Sequence, residues 1–319
     1  MFELIGYIIL FVLSFYVITK AADYFIDESA TIGKRFGMSK LMIGLTIVSI
    51  GTSLPEMITS LGSIMFTDNY ADFIIGTTLG SNTTNILLAF GIFLVIAGDF
   101  YTKKRELFNV LSLLFVSVVF STFILLGFVN YFAIILIAFY VGYIFYLSKF
   151  QKKEVSDLSD EFVDIEKHKV SKSVGIIVLS FFGLFFGAKM AITSIENIGL
   201  MLAIPTAYLT LTTISIATSL PEIAVTVSSA RKKEYLMGIG NILGTNILNI
   251  CLIIGFSGFF GEYTFDSSQY LFSVILFLIG TLIFSIMIAK RRFKKYVGYL
   301  FLGMYGIYLA FTIVKGFLF

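Results

Sequence analysis

Glu56 and Glu222 close two versions of one phrase, Gly51-Thr52-Ser53-Leu54-Pro55-Glu56 and Ala217-Thr218-Ser219-Leu220-Pro221-Glu222, each inside sequence apolar enough to lie in a bilayer. A carboxylate at membrane depth is costly and usually functional. A matched pair in two halves of one chain points to a shared central site. A second polar phrase follows each Glu: Gly80-Ser81-Asn82-Thr83-Thr84-Asn85 and Gly244-Thr245-Asn246-Ile247-Leu248-Asn249. The intervals, 29 residues from Glu56 to Asn85 and 27 from Glu222 to Asn249, let one helix cross and the next return to the same depth. Four polar segments are therefore expected to converge.

Their chemistry is that of oxygen. Proline lacks an N–H, so Pro55 and Pro221 free the carbonyls of Gly51 and Ala217 from helical bonding. A kink there would turn backbone oxygens toward the carboxylates, and Thr52, Ser53, Thr218 and Ser219 add hydroxyls. Carboxylates, carbonyls, hydroxyls and amide oxygens are ligands for hard cations, and Ca²⁺ takes about 6–8 of them. Two opposed carboxylates neutralise one divalent ion. When it leaves, protons or several monovalent ions must replace it, because two bare carboxylates in this setting are expensive. Competition for one charged site is thus an exchange mechanism, with no catalytic residues required.

Other polar residues have plainer readings. A single buried Glu could merely serve helix packing, but matched Pro-containing pairs argue otherwise. Asn85 or Asn249 alone would suggest interhelical packing; their placement after Gly-Ser and Gly-Thr steps favours the site. Cys251 reads as a small packing residue. Lys20 and Lys189 read as anchors at helix ends, and Asp23, Asp27 and Glu28 as a solvated interfacial turn. The sequon Asn82-Thr83-Thr84 falls in apolar sequence where glycosylation is irrelevant.

The surrounding chain supplies a membrane scaffold. Of 319 residues, 58% are hydrophobic and 13% charged, against about 25% charged in soluble domains. Mean hydropathy is +0.95. With no Trp, Tyr and Phe must form the interfacial belt. The net charge of +3 fits basic loops facing the cytoplasm and does not imply nucleic acid. One Cys and one His, His168 in a charged stretch, leave no cofactor site. Met1 to Ile18 lacks a basic start and a small-residue cleavage pattern, so it reads as the first membrane helix.

Spans of about 20 apolar residues fall at 3–20, 39–65, 72–98, 107–126 and 129–148, then at 173–195, 202–229, 236–259, 269–289 and 296–315. The run from Leu107 to Ser148 is free of charge and must be a hairpin turning near Gly127-Phe128-Val129-Asn130. Residues 149–172, with six Lys and six Asp/Glu, read as a hydrated linker between two repeats, 1–148 and 173–319. With both termini outside, 20 of the 23 Lys and Arg fall in inner loops, while Asp68, Asp72, Glu262 and Asp266 fall outside. Five spans per half make the second repeat enter from the opposite side. The expected fold is an all-α polytopic membrane protein of ten helices in two inverted five-helix repeats.

At these residues the chain resembles the cation/calcium antiporter superfamily, especially its prokaryotic sodium/calcium exchangers. The resemblance rests on GTSLPE from Gly51, ATSLPE from Ala217, GSNTTN from Gly80 and GTNILN from Gly244, and covers essentially both halves. It implies sodium/calcium antiport across the cell membrane, electrogenic and by alternating access, with calcium and sodium ions as substrates and a monomer as a possible working unit. It implies Glu56 and Glu222 as calcium carboxylates, with oxygens from Thr52 and Thr218. Ser81 and Thr245 would help bind sodium in flanking sites near the carbonyls of Ser49 and Ser215, and Asn85 and Asn249 would line the centre. Residues 3–20 and 173–195 would slide over the remaining bundle. This sequence departs from the pattern at Ala217, where Gly is usual, at Ser49 and Ser215, where some members have Ala, and at Asn249, where several have Asp. Calcium/proton exchange is the alternative, although that branch resembles GNxxE; a passive cation channel fits two inverted halves less well.

Overall fold

The computed structural model describes residues 2–66, 70–102, 106–150, 170–201 and 219–318. These residues are almost wholly helical, and eight helices among them are long and apolar enough to cross a membrane.

In the first half, α1 is Phe2–Arg35. Next, α2 combines Lys40–Ile43, a π-helical turn at Gly44–Val48 and Ser49–Phe66. Similarly, α3 combines Tyr70–Thr84, a π turn at Asn85–Ala89 and Phe90–Ala97. Helix α4 is Leu107–Leu126 and α5 is Ile135–Phe150. In the second half, α6 is Val170–Met201 and α7 is Leu220–Arg231. Helix α8 combines Tyr235–Leu248, a π turn at Asn249–Ile254 and Gly255–Ser257. Last come α9, Leu271–Lys290, and α10, Lys295–Leu318. Every expected span has a helical counterpart; of the seventh, residues 202–218 lie outside the described residues, as do 151–169 of the expected linker.

The first helix is longer than its apolar run. Asp23, Asp27 and Glu28 lie on α1 rather than in a turn, because Ile18, Ala21, Ala22, Phe25, Ile26 and Ile32 continue a buried stripe at helical spacing. The carboxylates flank that stripe, where Asp23 accepts a hydrogen bond from Ser228 Oγ and Asp27 pairs with Lys232 Nζ. Lys20 and Lys189 are likewise inside long helices, α1 and α6, rather than at their ends, and both are exposed. In a second core that also takes in Ile43 and Val48 of α2, Val225 of α7 and Met237 of α8, helices α1 and α6 pack on each other, Ile18 to Ile26 against Leu184 and Ala191. Their approach is close: a Cβ at Gly187 would fall 2.7 Å from Ile18 Cγ1. The outer face of α1, with Ile9, Val12 and Tyr16 exposed, suits lipid chains.

The other helices share one larger core, and Cys251 is a buried free thiol within it. Between Leu126 and Tyr131 the expected hairpin turn is present: Gly127 takes the left-handed conformation (φ 74°) and Asn130 caps the following turn.

Two short antiparallel ties join the halves. Strand β1 (Phe100–Tyr101, between α3 and α4) pairs with β4 (Arg292–Phe293, between α9 and α10). Strand β2 (Phe128–Val129, between α4 and α5) pairs with β3 (Tyr263–Thr264, between α8 and α9). Exchanging the halves maps one tie onto the other, yet they sit at opposite ends of α4, about 30 Å apart at 1.5 Å per residue. That is the signature of an inverted repeat. Phe293 stacks on Phe100 at 4.5 Å and packs near Phe90, anchoring the first tie to the core.

Candidate ion-binding site

The paired phrases meet at the centre of the larger bundle. Glu56, on α2, and Glu222, in the first turn of α7, are fully buried, and their carboxyl groups lie within hydrogen-bonding reach of one another. Two negative charges so close in a dry interior repel strongly unless a proton or a cation lies between them.

The two prolines act differently. Pro55 lies inside the continuous helix Ser49–Phe66, whereas Pro221 sits in the first turn of α7, where a missing N–H costs nothing. The expected kink at Pro221 would involve the Ala217 carbonyl, which lies outside the described residues, as do Thr218 and Ser215.

Neutral oxygens surround the carboxyls. Ser81 Oγ, on α3, reaches Glu56 Oε1 at 3.4 Å, and Ser53 Oγ reaches Glu222 Oε1 at 3.5 Å. Thr52 also contacts Glu222. Ser81 is a junction between halves, since Ser219 Oγ donates to it at 3.1 Å and Asn249 Nδ2 approaches at 3.5 Å. Thr52 Oγ1 lies 3.4 Å from both Ser49 O and Asn241 Oδ1, and Thr245 Oγ1 lies 3.5 Å from Asn241 Oδ1. Ser49 itself turns its hydroxyl back to Leu45 O at 2.8 Å, so its contribution here is the carbonyl.

Hydroxyls elsewhere in the bundle bond tightly, as Thr46 to Met42 O and Thr83 to Leu79 O, both at 2.7 Å. Neighbouring oxygens at right angles around one cation, with bonds of 2.3–2.6 Å, stand about 3.3–3.7 Å apart. The Ser81–Glu56 and Ser53–Glu222 contacts, at 3.4 and 3.5 Å, fall in that range.

Asn85 and Asn249 each open a π turn at the same place in their halves. A π turn inserts one extra residue, shifts the following side chains off the helical register, and often marks functional sites. Both residues are fully buried, and neither amide atom of Asn85, nor Asn249 Oδ1 or Glu222 Oε2, has a hydrogen-bond partner among the described residues. Buried polar atoms are normally partnered, which makes the oxygens among these candidate ligands.

Sequence reasoning passed over Asn241, Thr226, Asn82 and Asn246, all fully buried. Asn241 Nδ2 donates to Thr226 Oγ1 at 3.0 Å, and Asn82 Nδ2 reaches across the halves to Asn246 O at 3.4 Å. The available signal for Asn241 was its position one helical turn before Thr245, on the same face of α8. The π turns left no such mark in the sequence.

Inverted helical halves that bring two buried carboxyls into one shell of neutral oxygens define a secondary membrane transporter for cations. The family model described as "Sodium/calcium exchanger protein" matches residues 6–149 and 172–314, and the chain belongs to that family: it is a sodium/calcium antiporter. The sodium/calcium exchanger MaX1 of Methanosarcina acetivorans is 27% identical over 340 residues, with 92% of this chain and 94% of that protein covered. The inner membrane protein YrbG of Escherichia coli is 28% identical over 311 residues, covering 94% of this chain and 95% of the relative. Among solved structures, the sodium-calcium exchanger NCX_Mj soaked with 10 mM Na⁺ and zero Ca²⁺ aligns with a TM-score of 0.82 at 25% identity, covering 96% of this chain and 99% of that one.

Proposed function

We propose that the chain exchanges sodium for calcium across the cell membrane by alternating access, with inward sodium driving calcium outward, and that Glu56 and Glu222 hold the calcium ion between the two repeats. Thr52 and Thr218 complete its shell. Ser81, Thr245, Ser53, Ser219 and the carbonyls of Ser49 and Ser215 serve the flanking sodium sites, and Asn85 and Asn249 line the centre. The observation that carries this reading is the meeting of the two carboxyls, each with a hydroxyl 3.4–3.5 Å away. Calcium neutralises the pair; sodium ions entering the neutral flanks replace that charge as calcium leaves.

The repeats divide at residues 149–172. Three ion pairs, Lys40–Glu234, Lys232–Asp27 and Lys294–Asp99, lie at the end where the basic loops cluster. By the positive-inside rule that end, with the linker, is cytoplasmic and both termini are extracellular. One chain supplies every element around the carboxyls, which supports a monomer as the working unit. The packing of α1 against α6 in a core distinct from the larger one supports their movement as a pair over the remaining helices.

The carboxyl–carboxyl contact also favours a second reading, calcium/proton exchange, because a shared proton would hold the pair together. Calcium flux in sealed vesicles decides between them: a sodium gradient is expected to drive it and a proton gradient alone is not. Flux with protons only would replace sodium by protons in the mechanism, and gradient-driven leakage without a counter-ion would indicate a channel.

A further inference from the structure

Asn241 stands just outside the central shell with its amide fixed. Its Nδ2 donates to Thr226 Oγ1 on α7 at 3.0 Å, which leaves Oδ1 facing the hydroxyls of Thr52, at 3.4 Å, and Thr245, at 3.5 Å. In the first half the corresponding contact is made by Thr77, whose hydroxyl lies 3.0 Å from Ser60 Oγ and also donates to Phe73 O at 2.6 Å. The interhelical pair is thus kept in both halves, but only the second carries a carboxamide oxygen beyond it.

A hydroxyl gives a lone pair to a cation only when its proton points elsewhere, to an acceptor. A carboxamide oxygen has two acceptor positions and no proton of its own. We propose that Asn241 is a positioning residue for sodium: by accepting the proton of Thr245 it turns that hydroxyl's lone pairs toward the ion and makes the flank beside Thr245 a better sodium site than its counterpart beside Ser81. Thr226 acts one step back, by holding the amide in that orientation. The inference rests on the assignment of Thr245 to a flanking sodium site made above. It separates the two ions, because sodium beside neutral oxygens depends on their orientation, whereas calcium is held chiefly by two carboxylates.

Calcium uptake by the full chain in sealed vesicles, with half-saturation measured separately for sodium and for calcium in sodium-free medium, tests this. Asn241→Leu keeps the branched heavy-atom shape and removes the acceptor; the sodium half-saturation is expected to rise about tenfold, the usual consequence of losing a buried hydrogen-bond acceptor. The calcium half-saturation should stay within about twofold. Thr226→Val, nearly isosteric and still carrying Asn241, should raise the sodium value by about threefold, and Thr226→Ser should restore it. A lower maximal rate with an unchanged sodium half-saturation in both the Asn241→Leu and Thr226→Val proteins would overturn the proposal, as would equal shifts for both ions. A wild-type protein with no sodium-driven calcium flux would instead remove the antiport reading on which the inference rests.

Discussion

The two halves of this chain agree where charge is handled and disagree where ions and helices slide past. Glu56 and Glu222 share one buried contact, and Asn85 and Asn249 open matching π turns. The halves part company around that centre. Gly51 faces Ala217 in the repeat, Thr77 faces Asn241, and Pro55 lies within a helix while Pro221 begins one. Symmetry is retained where a divalent ion needs two equal carboxylates. It is broken in the flanks, where access from the two sides need not be equivalent.

The strongest way to break this comparison is at the carboxylates. Glu56→Gln and Glu222→Gln should each reduce calcium flux by at least about 100-fold, since removing one member of a buried charge set leaves the rest uncompensated. If one variant transports normally while the other is dead, the site is not shared equally.

Gly51→Ala gives the first phrase the methyl that the second already carries. Its Cβ would fall 2.6 Å from Phe25 Cζ on α1, and Phe25 is fully buried. Overpacking of this kind costs about 1–3 kcal/mol. Because the clash is with α1, the maximal flux is expected to fall several-fold while calcium half-saturation changes little. Loss of calcium affinity alone, measured by the same uptake assay, would place Gly51 in the site instead.

A milder test lies at the ties. Gly127 and Arg291 both end helices in the left-handed conformation, at φ 74° and φ 59°. Gly127→Ala should destabilise by ~1 kcal/mol, because it puts a side chain where only glycine is comfortable. Arg291→Gly should shift thermal unfolding in detergent the other way, by less than ~1 kcal/mol. Equal responses at the two positions would mean that the loops tolerate that backbone for different reasons.

The smallest effect concerns the tie that carries an ion pair. The Lys294 ammonium, together with the Lys295 backbone N–H, holds Asp99 below the usual carboxylate range. Its folded form therefore favours the ionised acid. The support is present above the ordinary aspartate value and is lost as the pH falls through the depressed one. Asp99 is solvent-exposed, so the contribution is small and screened by salt. Unfolding monitored from neutral to acidic pH should show a shallow loss that Asp99→Asn abolishes; an unchanged profile in that variant would assign the acid sensitivity elsewhere.

Much of the architecture was legible in the chain. Apolar runs located the helices, and the repeated phrases located both carboxylates, because hydrocarbon tolerates a buried Glu only for a reason. Residues 23–28 misled because their charge suggested a solvated turn. Packing overrode it: the apolar side of that segment had a second helix to bury against, and the acids found Ser228 and Lys232 at its edge. Asn241 was missed because a lone amide in an apolar run has no pattern to distinguish packing from positioning. Its role depends on Thr226, which reaches it from a different helix.

By itself, then, the sequence determined that this is a two-fold repeated membrane protein with one carboxylate per half, since hydropathy, charge bias and motif repetition are properties of the chain alone. Only the tertiary structure decided that the carboxyls come within reach of each other, that hydroxyls of α2 and α3 stand 3.4–3.5 Å from them, and that π turns begin at both asparagines. Those facts depend on how helices pack, and contacts between residues far apart along the chain exist only after the repeats have closed on one another.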